Sequence, residues 1–282
     1  MVVQVKLFNK FLGRIKDQTF SRLYFKRAFQ SSYIQKNLKS VVWGGSKNDM
    51  KFVAIETSRG SNQLVISTNG VTWTYPVLDS TLDWISLTWG GPAGREQFVA
   101  VVTSETVSQL MTSPDGINWA SNTASSIMEW TSVAYGGIRG KEKFVAVALQ
   151  PGGSNVMTSL DGITWTLQDS DVQNGFVSVT WGGPAGNEKF VAIAASGSYN
   201  RLMTSSDGIK WTAQTTAAGD YWNSVNWRRM DGHNEFVAVA NSGKGKRIMT
   251  SPDGVTWKLK DSPAVDAWKL SDWQVLDRVI WI

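Results

Sequence analysis

The chain has 282 residues, of which 42% are hydrophobic, and a formal net charge of +5 at pH 7. It contains no cysteine and one histidine, which excludes disulfides and thiolate chemistry and argues against a Ser-His-Asp triad or a zinc centre. We see no run of about 18 apolar residues and no secretory signal. We therefore expect no membrane-spanning helix, no metal and no cofactor, and the compartment stays open.

The positive charge is concentrated in residues 1–37, which begin with a basic amphipathic N-terminal segment, residues 1–21. Residues 1–37 contain eight Lys or Arg and one acid, whereas the rest of the chain contains 20 basic and 22 acidic side chains. The rest therefore shows no basic footprint for nucleic acid. The segment also has apolar side chains at helical spacing, with cations between them. These positions are Phe8, Phe11, Leu12, Ile15, Lys10 and Arg14. We predict that the segment docks on a protein partner or assembly; a short packed helix and a targeting peptide are the alternatives.

Residues 22–282 are organised by a 46-residue repeat. The Trp that follows each Asp-Gly or Asn-Gly recurs at this interval with no net insertion, and so does the Phe of each FVA segment. The Trp positions are Trp73, Trp119, Trp165, Trp211 and Trp257. The copies span 38–83, 84–129, 130–175, 176–221 and 222–267, and a half-copy follows at 268–282. An exact period of this length indicates one closed array of similar units.

One copy reads as four short antiparallel strands. In residues 176–221, FVSVTWGG alternates, KFVAIAA is a buried apolar run, RLMTS is a third strand and WTAQ a short outer one. The Asp-Gly between the last two strands is a strong hairpin signal, because glycine accepts positive φ without steric cost. Four strands in about 45 residues match a blade of a β-propeller. The predicted fold is thus all-β, a propeller of four-stranded blades.

The half-copy predicts how the ring closes. AWKLSDW (267–273) aligns with YWNSVNW (221–227) at the same step, and RLYFKRAFQSSYIQ (22–35) resembles an outer pair of strands. We therefore predict six blades, the last shared by both termini, with five blades as the alternative. Closure of this kind removes exposed sheet edges.

The segments TSPDGINW (112–119), TSLDGITW (158–165), TSSDGIKW (204–211) and TSPDGVTW (250–257) resemble the Asp-box of sialidase-like and other propellers, with one residue fewer between Asp and Gly. The resemblance implies a propeller fold. We predict that Ser and Asp bind turn amides, and not that Asp115, Asp161, Asp207 and Asp253 ligate a metal or act in catalysis. The wider pattern FVAV…RLMTSPDGxTW resembles repeat proteins of bacteria, phages and large DNA viruses.

The functional prediction is a non-enzymatic structural or assembly module, for instance a virion or phage component. The alternative is a multivalent carbohydrate-binding module, in which repeated Trp faces stack on sugar rings and nearby acids accept hydroxyl hydrogens. Its candidate residues are Trp84, Trp130, Trp222, Trp268, Asp83 and Glu129. The competing interpretation is that these Trp fill the gap between blades. A glycoside hydrolase is the third and least favoured hypothesis, because the sequence has no recognisable set of arginines, activated Tyr and paired carboxylates.

Overall fold

A computed structural model describes residues 37–58, 61–76, 84–102, 109–123, 126, 128–150, 154–170, 172–195, 201–230, 233–240 and 248–261. Within these ranges the chain forms strands, turns and loops, and none of its segments is helical. It contains no helix long and apolar enough to cross a membrane there.

The strands fall into five antiparallel sheets, here called blades 1 to 5, each of which follows chain order from its inner to its outer strand. Blade 1 is β1 (Asn37–Gly44), β2 (Lys51–Ser58) and β3 (Ser61–Ser67). Blade 2 is β4 (Trp84–Gly90), β5 (Gln97–Val102), β6 (Gln109–Ser113) and β7 (Ala120–Thr123). Blade 3 is β8 (Trp130–Gly136), β9 (Lys143–Ala148), β10 (Val156–Ser159) and β11 (Thr166–Gln168). Blade 4 is β12 (Phe176–Gly182), β13 (Lys189–Ala194), β14 (Leu202–Ser205) and β15 (Thr212–Gln214). Blade 5 is β16 (Trp222–Met230), β17 (His233–Ala240), β18 (Ile248–Ser251) and β19 (Lys258–Lys260).

The prediction of an all-β propeller with four-stranded blades is confirmed. The blade number is corrected: the described residues form five blades, which matches the five-bladed alternative and not the preferred six. The segments that were expected to build a sixth blade, 22–35 and 267–282, lie outside the described residues. Blade 1 shows three strands, and an isolated bridge between Ile66 and Thr74 stands where the other blades have their fourth.

Neighbouring blades are joined by their inner strands. β1 lies beside β4, β4 beside β8, β8 beside β12 and β12 beside β16. Four apolar clusters cross these boundaries, and one of them brings Val53 and Leu64 of blade 1 together with Leu87 and Phe98 of blade 2. A further cluster contains residues of blade 1 alone. No single blade can bury both of its faces, so most of the described core lies between blades.

A glycine sets how closely two blades approach. A Cβ on Gly136 would lie 2.1 Å from the Trp181 ring of the next blade. The backbone around this glycine is ordinary, so the requirement is purely steric. The same contact joins every pair of consecutive blades: Gly44 with Trp89, Gly90 with Tyr135, Gly136 with Trp181 and Gly182 with Trp227. The repeat aromatics therefore lie against the backbone of the preceding blade.

A buried serine bonds each inner strand to the next. The Ser132 Oγ accepts a hydrogen bond of 3.0 Å from the backbone N–H of Val179, 47 residues later. The series comprises Ser40 with Leu87, Ser86 with Val133, Ser132 with Val179 and Ser178 with Val225. Each of these small, buried side chains is thus a hydrogen-bonded bridge between two blades.

The strand directions define two faces of the propeller. In each complete blade the first and third hairpin turns lie at one end of the strands; we call this the turn face. The loops after the second strands and the linkers between blades lie at the other end, the linker face. Their contact is direct in blade 3, where the N–H of Leu149 donates to the carbonyl of Glu129.

Candidate interaction surfaces

The predicted sugar-stacking Trp residues lie inside the protein. Trp84, Trp130 and Trp222 have 1%, 0% and 0% of their surface exposed. A side chain with no accessible ring face cannot stack on a sugar, so the stacking prediction fails for these three. They fill the gap between blades, as the competing interpretation expected, because an inner-strand residue that points at the neighbouring blade is covered by it. Glu129 is half-buried.

The remaining residues of the two site predictions stay untested. Trp268 and Asp83 lie outside the described residues, and so do all the docking positions of the N-terminal segment. Those positions are Phe8, Phe11, Leu12, Ile15, Lys10 and Arg14.

The Asp-Gly turns are closed by their own side chains. In blade 2 the Asp115 Oδ1 accepts hydrogen bonds of 2.8 Å from the amides of both Ile117 and Asn118. The Ser113 Oγ accepts the amide of Gly116 at 2.8 Å. The same pattern recurs around Asp161, Asp207 and Asp253. The predicted role of Ser and Asp as acceptors of turn amides is confirmed, and each carboxylate is engaged within its own turn.

These bonds hold the carboxylates in their charged form. Burial raises the pKa of Asp115, but the amides of Asn118 and Ile117 and the side chains of Asn118 and Ser113 outweigh it and lower the pKa to about 2. The pKa values of Asp161, Asp207 and Asp253 are lowered for the same reason. A permanently ionised carboxylate with two short amide bonds suits a structural turn and not a proton-transferring acid. No group of acids or histidines that could hold a metal ion is found among the described residues.

The turn face carries a repeated apolar side chain that the sequence reasoning missed. The residue after each turn glycine is Val or Ile in all five copies, and 37% to 50% of its surface is exposed. These residues are Val71, Ile117, Ile163, Ile209 and Val255. In blade 3 the same face also exposes Ile138 and Leu160. The signal was visible in the repeat, because an aliphatic residue recurs at a turn position where polar residues are usual.

The linker face has a different character. Tyr221, 58% exposed, precedes β16, and the guanidinium carbon of Arg201 lies 5.7 Å from the centre of its ring. Arg201 also donates to the carbonyls of Gly219 and Asp220, which holds the linker between blades 4 and 5. Tyr221 lies in a linker and belongs to none of the repeated motifs, so the sequence pattern did not single it out. Only the structure shows that its ring is accessible.

Comparison with known proteins identifies the fold and not the function. Neither a scan of protein-family models nor a search of curated proteins finds a match. Among solved structures, an ancestral GH74 enzyme aligns with 81% of this chain and 33% of its own, at 13% identity and a TM-score of 0.55. BBS1N in complex with ARL6DN aligns with 82% of this chain and 69% of its own, at 9% identity and a TM-score of 0.53. The fungal lectin of Aleuria aurantia, a six-bladed β-propeller with fucose recognition, aligns with 81% of this chain and 79% of its own, at 10% identity and a TM-score of 0.49. At these identities the likeness shows a β-propeller alone.

Proposed function

We propose that this chain is a non-enzymatic assembly or interaction module that binds a protein partner through its turn face. The observation that carries the proposal is the exposed aliphatic residue that recurs on the Asn-Gly turn of blade 1 and on the Asp-Gly turns of blades 2 to 5. Folding does not require it, because Ser, Asp, Gly and Trp supply the hydrogen bonds of each turn, as in blade 2. Exposed apolar side chains that recur on one face are typical of protein-binding surfaces.

The scaffold beneath that face is suited to such a role. Serine bridges and glycine–aromatic contacts join successive blades at identical positions, so the turns are presented in a fixed arrangement. A partner that meets several blades at once gains from multivalency, since a rigid platform lowers the entropic cost of each further contact. The likeness of the repeat to proteins of phages, large DNA viruses and bacteria supports extending the proposal to a virion or phage component.

The test is a triple variant of the full-length chain, Ile117→Thr, Ile163→Thr and Ile209→Thr, produced in its native source. Threonine keeps the branched shape and removes the apolar contact. We expect unchanged thermal stability and at least a tenfold loss of the chain from its native complex, measured by co-sedimentation. The matched control, Leu149→Thr at an exposed aliphatic side chain of the linker face, should assemble normally. Normal assembly of the triple variant would contradict the proposal.

A second candidate function is carbohydrate binding at the linker face. The accessible ring of Tyr221, backed by Arg201, is the specific observation that favours it, since aromatic rings can pack on the apolar faces of sugars and guanidinium groups donate to hydroxyls. On a glycan array, Tyr221→Phe should keep binding and Tyr221→Ala should lose it. Equal binding by both variants, or no binding by the native chain, would contradict carbohydrate binding at Tyr221.

Glycoside hydrolysis is the weakest candidate. It requires two carboxyl groups at a set separation across a sugar, one of them protonated. The repeated carboxylates, represented by Asp115, accept amides inside their own turns and have lowered pKa values, which is the opposite of an acid catalyst.

A further inference from the structure

Blade 1 has Asn69 where the Asp-Gly turns of blades 2 to 5 have an aspartate, and Gly70 follows it. An Asn-Gly pair is a site of spontaneous deamidation, because glycine has no side chain to shield its own amide nitrogen. That nitrogen forms a bond to the Cγ of the asparagine, the Cγ–Nδ2 bond breaks, and ammonia leaves with the amide proton. Water then opens the five-membered imide to aspartate or to isoaspartate. The reaction needs only the turn itself and water.

The side chain of Asn69 is accessible and polarised for attack. It is exposed, and its Oδ1 accepts hydrogen bonds of 2.8 Å from the amides of Val71 and Thr72. The Ser67 hydroxyl donates to the same oxygen at 3.1 Å. Donors aimed at this oxygen stabilise the negative charge that develops on it when a nucleophile attacks Cγ. The contacts of the carboxamide therefore do not protect it from the reaction.

The nucleophile, in contrast, is held back. The N–H of Gly70 donates to the Ser67 Oγ at 2.8 Å, and both residues are buried. An amide nitrogen attacks only after it has lost its proton, and this proton lies between two buried atoms and points at a weakly basic oxygen. The bond therefore has to open before Gly70 can react with Asn69. Opening leaves a buried donor unpaired, which makes the open form about tenfold rarer.

The turns of blades 2 to 5 have a second protection that the turn of blade 1 lacks. An Asp-Gly pair forms the same imide from its uncharged carboxylic acid, whereas an ionised carboxylate resists attack by a nucleophile. Burial raises the pKa of Asp115, but the hydrogen bonds of its turn lower the pKa to about 2, so this side chain is ionised at neutral pH. The carboxamide of Asn69 is uncharged at neutral pH. Blade 1 therefore depends on the serine bond.

We propose that Asn69–Gly70 is a latent deamidation site, and that the Ser67 hydroxyl suppresses the reaction by holding the Gly70 amide. The aspartate product fits the turn, because Asp115 occupies the same turn in blade 2 with the same acceptor bonds. The isoaspartate product adds a methylene to the main chain and does not fit. A chain that loses the serine bond therefore accumulates a damaged turn in blade 1.

Ser67→Ala in the full-length chain tests the proposal, because it removes the acceptor of the Gly70 amide. Native and variant chains are incubated in the folded state at mildly alkaline pH, and peptide mass spectrometry follows the deamidated fraction at Asn69. The native chain in urea gives the unprotected rate. The matched control variant is Ser113→Ala, which removes the same bond from the turn of blade 2. The internal control is Asn174–Gly175, the other Asn-Gly pair of the sequence, measured in the same digest.

We expect the folded native chain to deamidate at Asn69 at least about tenfold more slowly than in urea, and Ser67→Ala to raise the folded rate about tenfold. Ser113→Ala should leave the rate at Asn69 unchanged, and the rate at Asn174 should be the same in every folded chain. Equal rates at Asn69 in the native chain and Ser67→Ala would overturn the proposal. A joint rise at Asn69 and Asn174 would also overturn it, because general unfolding then exposes the site.

Hydrogen exchange in the native chain provides a measurement that needs no variant. The Gly70 amide should exchange at least about tenfold more slowly than in the urea-unfolded chain, because its proton is bonded to Ser67 in a buried place. Exchange of this amide at the unfolded rate would overturn the proposal.

Discussion

The Asp-Gly turns offer a sharp test of the hydrogen-bond argument, because the chain contains its own reference. Blade 1 has Asn69 where blade 2 has Asp115, and the Asn69 Oδ1 accepts the amides of Val71 and Thr72 at 2.8 Å, as the aspartate does. Asp115→Asn therefore keeps the geometry and removes the charge. Asp115→Ala removes both.

The expected magnitudes follow from the pKa of the carboxylate. A lowering from 3.8 to about 2 corresponds to at most about 2.5 kcal/mol, at 1.36 kcal/mol per unit. Partial exposure of Asp115 reduces this to about 1–2 kcal/mol through solvent screening. We expect Asp115→Ala to lower the free energy of unfolding by about 1–2 kcal/mol at pH 7, in line with the loss of a helix-capping acceptor. Asp115→Asn should lose about half as much.

The pH dependence separates charge from geometry. Because folding lowers the pKa, the carboxylate contributes its full stabilisation above the unfolded value of about 4 and loses it as the pH falls towards 2. Urea unfolding followed by Trp fluorescence at pH 7, 4 and 2.5 measures this. The difference between the native chain and Asp115→Asn should shrink across that interval. A constant difference, or equal losses for the Asn and Ala variants, would refute the reasoning.

Three further changes test the packing. Gly136→Ala should lower the free energy of unfolding by about 3 kcal/mol or more, because the added Cβ meets the Trp181 ring. The control is Gly140→Asn, at a glycine in open space with φ 84°, which should lose under about 1 kcal/mol. Thermal unfolding of both variants measures the difference. Trp130→Ala should cost about 3–5 kcal/mol in urea unfolding, and a loss below about 1 would mean that it does not support the core. The Asn155 amide donates to the linker carbonyls of Val172 and Asn174, so Asn155→Ala leaves them without this donor. We expect a loss of about 1–3 kcal/mol in the free energy of unfolding and faster hydrogen exchange in residues 172–174. Unchanged exchange would contradict the idea that Asn155 anchors the linker.

The repeat made much of the fold predictable. Because each 46-residue copy has to form the same blade, one prediction of strands and turns applied to all of them. The role of Ser and Asp as acceptors in the turns followed from local chemistry, as at Asp115. The blade count was harder. It depends on which surfaces meet at the ends of the array. Blade 5 has Arg228 where blades 1 to 4 have a glycine, and only the structure shows that this glycine lies against an aromatic ring of the next blade.

The candidate sites show the same division. Trp84, Trp130 and Trp222 look like an exposed row in the sequence, yet the adjacent blade covers them, because burial between blades is a property of the assembled sheets and not of the local pattern. Local hydrogen bonds and turn conformations act over a few residues, so the sequence by itself determined the strands, the hairpins and the 46-residue blade. Only the tertiary structure decided which side chains remain accessible, since that depends on contacts between residues about 46 positions apart.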